Sequence, residues 1–108
     1  MMKHLMMLAM VGLLWGAASH AAAAQDTGVA IYTAKCQMCH GPTGHADTPA
    51  GKALKAHPFN TPDYIKASDE SLLAILKSGK NKMPAFTGKL TESQMTTVLA
   101  YTRTLEKN

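Results

Sequence analysis

Cys36-Gln37-Met38-Cys39-His40 places two thiols and an imidazole within five residues. Residues three and four apart share a helix face. On a helix, Cys36 and Cys39 therefore project the same way, and His40 lies one turn beyond Cys36. Upstream, Val29 and Tyr32 carry the same spacing back towards Asp26 and Thr27, either of which can cap. The pattern predicts a helix over residues 26 to 40. Gly28 interrupts it at a cost of about 1 kcal/mol against Ala. It marks either a frayed first turn or a point where another helix packs close.

The rest of the chain bounds what this stretch can be. At 108 residues there is room for one domain. Lys3 gives a short positive start, Leu5 to Ala18 is apolar, and Ala21-Ala22-Ala23-Ala24 offers small-residue cleavage sites. That is the layout of a secretory signal peptide over 1–24, leaving a domain at 25–108. The apolar run is shorter than the roughly 20 residues a spanning helix needs; an uncleaved membrane anchor is the alternative. The full chain carries a formal charge of +4, and Lys3 leaves with the leader. The remainder is mildly basic, without the clustered basic face of a nucleic-acid binder. A domain this small usually needs a staple. A disulfide between Cys36 and Cys39 would close a tiny loop and restrain little, whereas a large apolar cofactor would fill the core.

Beyond the opening helix, Gly41, Pro42, Gly44, Pro49, Gly51, Pro58 and Pro62 punctuate an irregular stretch over 41–61, with a short turn at 53–56. So long a loop suits a small domain only when it wraps something. A short helix follows at 63–66. Ser68 then caps a helix with Asp69 and Glu70 in its first turn. Leu72, Leu73, Ile75 and Leu76 form its buried face, Lys77 lies in its last turn, and Gly79 ends it. A second loop runs from Lys80 to Leu90. Thr91-Glu92-Ser93-Gln94 is a capping box. It opens a last helix with Met95, Val98, Leu99, Thr102 and Leu105 on one stripe and Tyr101 beside it. No strand alternation is long enough to name, so the domain is read as all-α.

In an exported all-α domain, C-x-x-C-H reads as a covalent haem c attachment site: two thiols add to the porphyrin vinyl groups and His40 reaches the iron. A thioredoxin-like dithiol would need a βαβ pattern around it. A structural zinc site would need a fourth ligand, for which His45 and His57 are the other histidines after the leader. For a second axial ligand, Met83, Met38, Met95, His45 and His57 are available. Met38 sits inside the motif, and Met95 falls on the last helix's apolar stripe. Met83 lies in a loop, held extended by Pro84. His45 and His57, in the glycine- and proline-rich loop, would give bis-His ligation instead. Met/His ligation raises the reduction potential, and two filled axial positions leave none for a substrate.

These residues together resemble the class I c-type cytochromes, the small bacterial monohaem kind. The likeness is carried by Gly28 and Tyr32, Cys36 to Gly41, Lys82-Met83-Pro84-Ala85-Phe86, Leu90-Thr91 and Ala100 to Arg103. It implies a small cytochrome c fold of three to five helices around one covalently bound haem, the first and last helices packed crosswise where Gly28 meets Tyr101. It further implies His40 and Met83 as axial ligands, and a proline carbonyl on the proximal histidine's other ring nitrogen, with Pro49 the best match.

The expected function is a periplasmic one-electron carrier and not an enzyme. The alternatives are a haem c subunit of a larger dehydrogenase or oxidase, or a haem enzyme or gas sensor with a labile sixth ligand. Lys80, Lys82 and Lys89 around Met83, with Lys52 and Lys55 in the other loop, would ring a haem edge and steer acidic redox partners.

Overall fold

Thr27 opens the first helix: its hydroxyl accepts the Ala30 N–H at 3.2 Å, and α1 runs Gly28–Lys35. In the computed structural model, which describes residues 26–108, this helix does not continue to His40. The leader expected over 1–24 lies outside the described residues. At Cys36 the backbone leaves helical geometry (φ −124°, ψ −34°), and a separate turn, α2 (Gln37–His40), follows. Cys36 N–H still donates to the Tyr32 carbonyl at 2.9 Å, while the Cys36 carbonyl starts a new ladder by accepting His40 N–H at 3.0 Å. Gly28 brings the last helix onto the face shared by residues 28, 31 and 32. Ile31 and Tyr32 are therefore buried, and Val29, expected on that face, turns out to 52% exposure.

The stretch expected to be irregular holds a helix, α3 (Pro49–Leu54). Thr48 caps it by accepting Gly51 N–H at 2.9 Å, and Pro49 sits in the first turn, where its missing N–H costs nothing. Gly51 is a contact residue here, not a breaker: a Cβ would collide with the Cys39 carbonyl. Next come α4 (Pro62–Lys66), capped by Thr61, and α5 (Asp69–Ser78), capped by Ser68. Of the four apolar residues expected inside on α5, Leu76 is buried; Leu72, Leu73 and Ile75 are half-buried. The Thr91–Gln94 capping box starts α6 (Glu92–Thr104), and Met95, Val98, Leu99, Thr102 and Leu105 are all buried as their spacing predicts. A 3₁₀ turn, Leu105–Lys107, follows.

The described residues are thus helical without a named strand; Lys80–Met83 and Thr87–Leu90 form isolated bridges only. Their six α-helical segments, against the expected three to five, reflect the bend at Cys36 and the extra turn at Pro49. The core lies between α1 and α6, with Phe59, Tyr64 and Phe86 entering from the loops and α4. At Gly28, a Cβ would lie 2.8 Å from Tyr101 Cβ and 3.0 Å from the Thr97 carbonyl. Only a residue without a side chain allows that approach. Arg103 binds α4 to α6: its guanidinium donates to the Tyr64 and Ala67 carbonyls and to the Asp69 and Glu106 carboxylates.

Candidate functional site

His40 is fixed from two sides by one short segment of the 41–61 region. Its Nδ1 lies 3.1 Å from the His57 carbonyl. A carbonyl only accepts, so Nδ1 carries the hydrogen. Burial lowers the imidazole pKa below 6.5, with a smaller opposing push from the His57 hydrogen bond. The ring is neutral, and Nε2 keeps its lone pair. Phe59 stacks on the ring at 4.6 Å and 18°, and Tyr64 backs Phe59 at 4.7 Å. The expectation that Pro49 supplies the carbonyl is corrected here: the carbonyl is that of His57. Pro49 is spent on opening α3, and His57 is held in place from the other end by its ring Nε2, 3.0 Å from the Thr61 hydroxyl.

The Cys36–His40 turn is capped from outside. The Thr48 hydroxyl donates towards the Met38 and Cys39 carbonyls at 2.6 and 3.2 Å, and the Tyr32 hydroxyl donates to the Gly41 carbonyl. The Met38 and Cys39 carbonyls are among those that a four-residue helix leaves open at its end, and Gly41 is the residue that caps it. Cys36 and Cys39 are free thiols, both half-buried. Burial pushes the Cys36 thiol up to about 11, so it stays protonated at neutral pH. Among the described residues no group of three or more His, Cys, Asp or Glu is placed to hold a metal ion.

The other sulfur and imidazole groups separate clearly. Met95 is a core residue at 3% exposure, and Met38 points away at 79%. The His57 ring bonds to Thr61 on the side of the domain where its own carbonyl meets His40. His45 precedes Ala46, whose N–H donates to the His40 carbonyl at 2.9 Å, so its loop is tied to the His40 side as well. Its Nε2 is buried without a hydrogen-bond partner. Met83 is half-buried and packs, as Cys36 does, against the main core cluster. Lys80 and Met83 pair through their backbones at 2.9 and 3.1 Å, which closes the turn carrying Met83. Lys52, Lys55, Lys80, Lys82 and Lys89 are all exposed, and none enters the three ion pairs of the described residues, Lys77–Glu92, Arg103–Asp69 and Arg103–Glu106.

Phe59, the His57 carbonyl and the Thr48 hydroxyl were not singled out by sequence. A lone aromatic inside a proline-rich loop, and a Thr-Pro pair as helix start, were the signals available for Phe59 and Thr48. A backbone carbonyl carries no sequence signal.

The donor set fits a haem c: two thiols free of a disulfide on one turn, a neutral imidazole with a bare Nε2, and a soft thioether in a closed turn. The family described as cytochrome c oxidase, cbb3-type, subunit III matches residues 23–101. The chain is 36% identical to cytochrome c6 of Nostoc sp. (strain PCC 7120) over 93% of its length and 91% of that protein's. It is 32% identical to cytochrome c6 of Parathermosynechococcus lividus, covering 68% of this chain and 82% of the relative. With cytochrome c6 of Gracilaria tenuistipitata var. liui it shares 33% identity, over 81% of this chain and 78% of the relative. No solved structure gives a significant match. The family match spans well over half of the chain, and the chain belongs to this family of c-type cytochromes: a small monohaem protein with one covalently bound haem c, carrying electrons between redox partners and not acting as an enzyme.

Proposed function

We propose that the chain is exported to the periplasm and shuttles single electrons there, with Cys36 and Cys39 as thioether anchors and His40 and Met83 as axial ligands. The observation that carries this reading is the His40 ring. Its Nδ1 hydrogen is committed to the His57 carbonyl, which leaves Nε2 as a donor beside two unpaired thiols. Bound haem c supplies a one-electron Fe(II)/Fe(III) couple. The chain's part is to hold two donors. The His57 carbonyl raises the basicity of His40 and fixes its tautomer. Met83 offers a neutral, soft sulfur that favours the reduced state. With both donors engaged, no position is left open for a substrate.

Export rests on the Lys3, Leu5–Ala18 and Ala21–Ala24 pattern. No helix of the described residues is long and apolar enough to cross a membrane. The five exposed lysines face acidic redox partners and speed their approach, so that electron transfer slows as ionic strength rises.

The test is mass spectrometry with visible and near-infrared spectra of protein made in a haem c-competent host. One covalent haem on a chain beginning at Gln25 is expected, with a thioether-to-iron charge-transfer band that Met83→Ala abolishes. A haem lost in acidified solvent, or a band that survives Met83→Ala, refutes the assignment. A second reading, a haem subunit of a larger oxidase, is favoured by the description of the matched family. Co-purification at fixed stoichiometry supports it; a monomer on gel filtration supports the shuttle.

A further inference from the structure

We propose that Gly79 is the positioning residue for Met83, holding its loop to the end of α5 by a contact that no side chain would allow. This rests on the reading of Met83 as an axial ligand. The carbonyls left open at the end of α5 are claimed by the segment beyond Met83. The Leu76 carbonyl accepts Phe86 N–H at 2.8 Å, and the Lys77 carbonyl accepts the Thr87 hydroxyl at 2.8 Å. Gly79 itself donates N–H to the Ile75 carbonyl at 2.7 Å and leaves the helix at φ 74°, ψ 171°, a region open to glycine alone.

The backbone of Met83, Pro84 and Ala85 then crosses the space where a side chain would stand. A Cβ on Gly79 would lie 2.7 Å from the Met83 carbonyl oxygen, 2.8 Å from Ala85 N and 3.0 Å from Pro84 C. All three are backbone atoms, so no rotamer change relieves the overlap. The nearest falls short of ordinary contact by about 0.7 Å, and the Met83 segment must lift from α5 to accept it. The Lys80–Met83 turn would lift with it, because the two residues are paired through their backbones. Gly88, in the same loop, provides the contrast. It also has positive φ (85°), but a Cβ there meets nothing within 4 Å. Alanine at Gly88 introduces strain alone, and alanine at Gly79 introduces strain and displacement of Met83.

The experiment compares holoprotein of the wild type, Gly79→Ala, Gly88→Ala and Met83→Ala. Gly79→Ala is expected to keep its covalent haem, lose most of the near-infrared thioether band, lower the midpoint potential, and bind added imidazole about tenfold more tightly. Gly88→Ala is expected to keep the wild-type band and potential while losing thermal stability. A wild-type band and potential in Gly79→Ala, or an equal shift in Gly88→Ala, overturns the proposal. A band that survives Met83→Ala overturns the ligand assignment and this inference with it. Loss of the band in Met83→Ala with its retention in Gly79→Ala overturns the inference alone. Should Gly79→Ala fail to accumulate, Thr87→Val removes the neighbouring anchor. The thioether band should then fade at a lower temperature than in wild type, and an unchanged fading temperature overturns the proposal.

Discussion

The buried pair Tyr64–Thr102 predicts an asymmetry that double-mutant stability measurements can read. The Thr102 hydroxyl donates its one hydrogen to the Leu99 carbonyl at 2.8 Å. It can therefore only accept from the Tyr64 hydroxyl, which lies within hydrogen-bond distance. Tyr64 is the donor, and burial pushes its pKa up because the phenolate would be poorly solvated there. Thr102→Val strands that donor. Leaving a buried donor unpaired costs about 1–3 kcal/mol, whereas a typical hydrogen bond contributes about 1 kcal/mol net. Tyr64→Phe leaves Thr102 still bonded to Leu99 and costs only the smaller amount. Replacing both partners leaves nothing stranded, so the double variant should be more stable than Thr102→Val alone. In a domain of this size each kcal/mol moves Tm by about 4–8 °C. We therefore expect thermal unfolding of the holoprotein, followed by far-UV circular dichroism, to place Thr102→Val about 10 °C below wild type. Tyr64→Phe should fall about half as far, and the double variant should recover part of the Thr102→Val loss. Equal single losses, or a double variant at the sum of the two, would refute the assignment of donor and acceptor. The pair matters to the site because Tyr64 backs Phe59, and Phe59 lies flat on His40.

Gly28→Ala should destabilise by about 1–3 kcal/mol through overpacking against α6, outweighing any gain in helix propensity; urea unfolding at or above the wild-type midpoint would sink that expectation. The Cys36 thiol is raised in the folded chain from 9.0 to about 11 by burial. Haem-free protein should therefore hold the full Cys36 contribution below pH 9 and lose it as pH rises towards 11, and holoprotein, with that sulfur a thioether, should show no such loss. A flat apoprotein stability profile over that window would count against the buried thiol. Lys77 holds the Glu92 carboxylate below its ordinary pKa of 4.5, so Glu92 stabilises above that pH and stops doing so as pH falls; Glu92→Gln should flatten the acid limb of the unfolding curve. Stopped-flow oxidation by an acidic partner should slow steeply with added salt, and a salt-independent rate would remove the lysines from docking.

Much of the last helix was legible in advance. The Thr91–Gln94 box and the five-residue buried stripe are local signals, and tertiary contacts agree with them at every position. The Ser68 cap and Gly79 stop were readable for the same reason. The Cys36–His40 stretch was legible as a motif, but its backbone was not. The three- and four-residue spacing of Tyr32, Cys36 and Cys39 survives a bend at Cys36, so periodicity alone could not detect the break. In α3 the local signals misled. Pro49 and Gly51 read as loop residues, yet the first is an N-terminal helix proline and the second is glycine because Cys39 comes too close. The partner of His40 could not be chosen from sequence, since any carbonyl in a proline-rich loop would serve, and only the folded chain brings residue 57 to it.

The meeting of α1 with α6 at Gly28 carries a consequence for biogenesis. The turn that carries Cys36, Cys39 and His40 ends about fifty residues before α6 begins. Bringing Gly28 to Tyr101 closes a loop of about seventy residues, whose length-dependent entropy cost is about 4 kcal/mol. Until that closure, Cys36 is an accessible thiol on an open chain. Afterwards it is packed against the core and protonated. If Cys36 anchors the haem, an order of assembly follows: its sulfur is most open before the two helices meet, and their meeting packs it against the core.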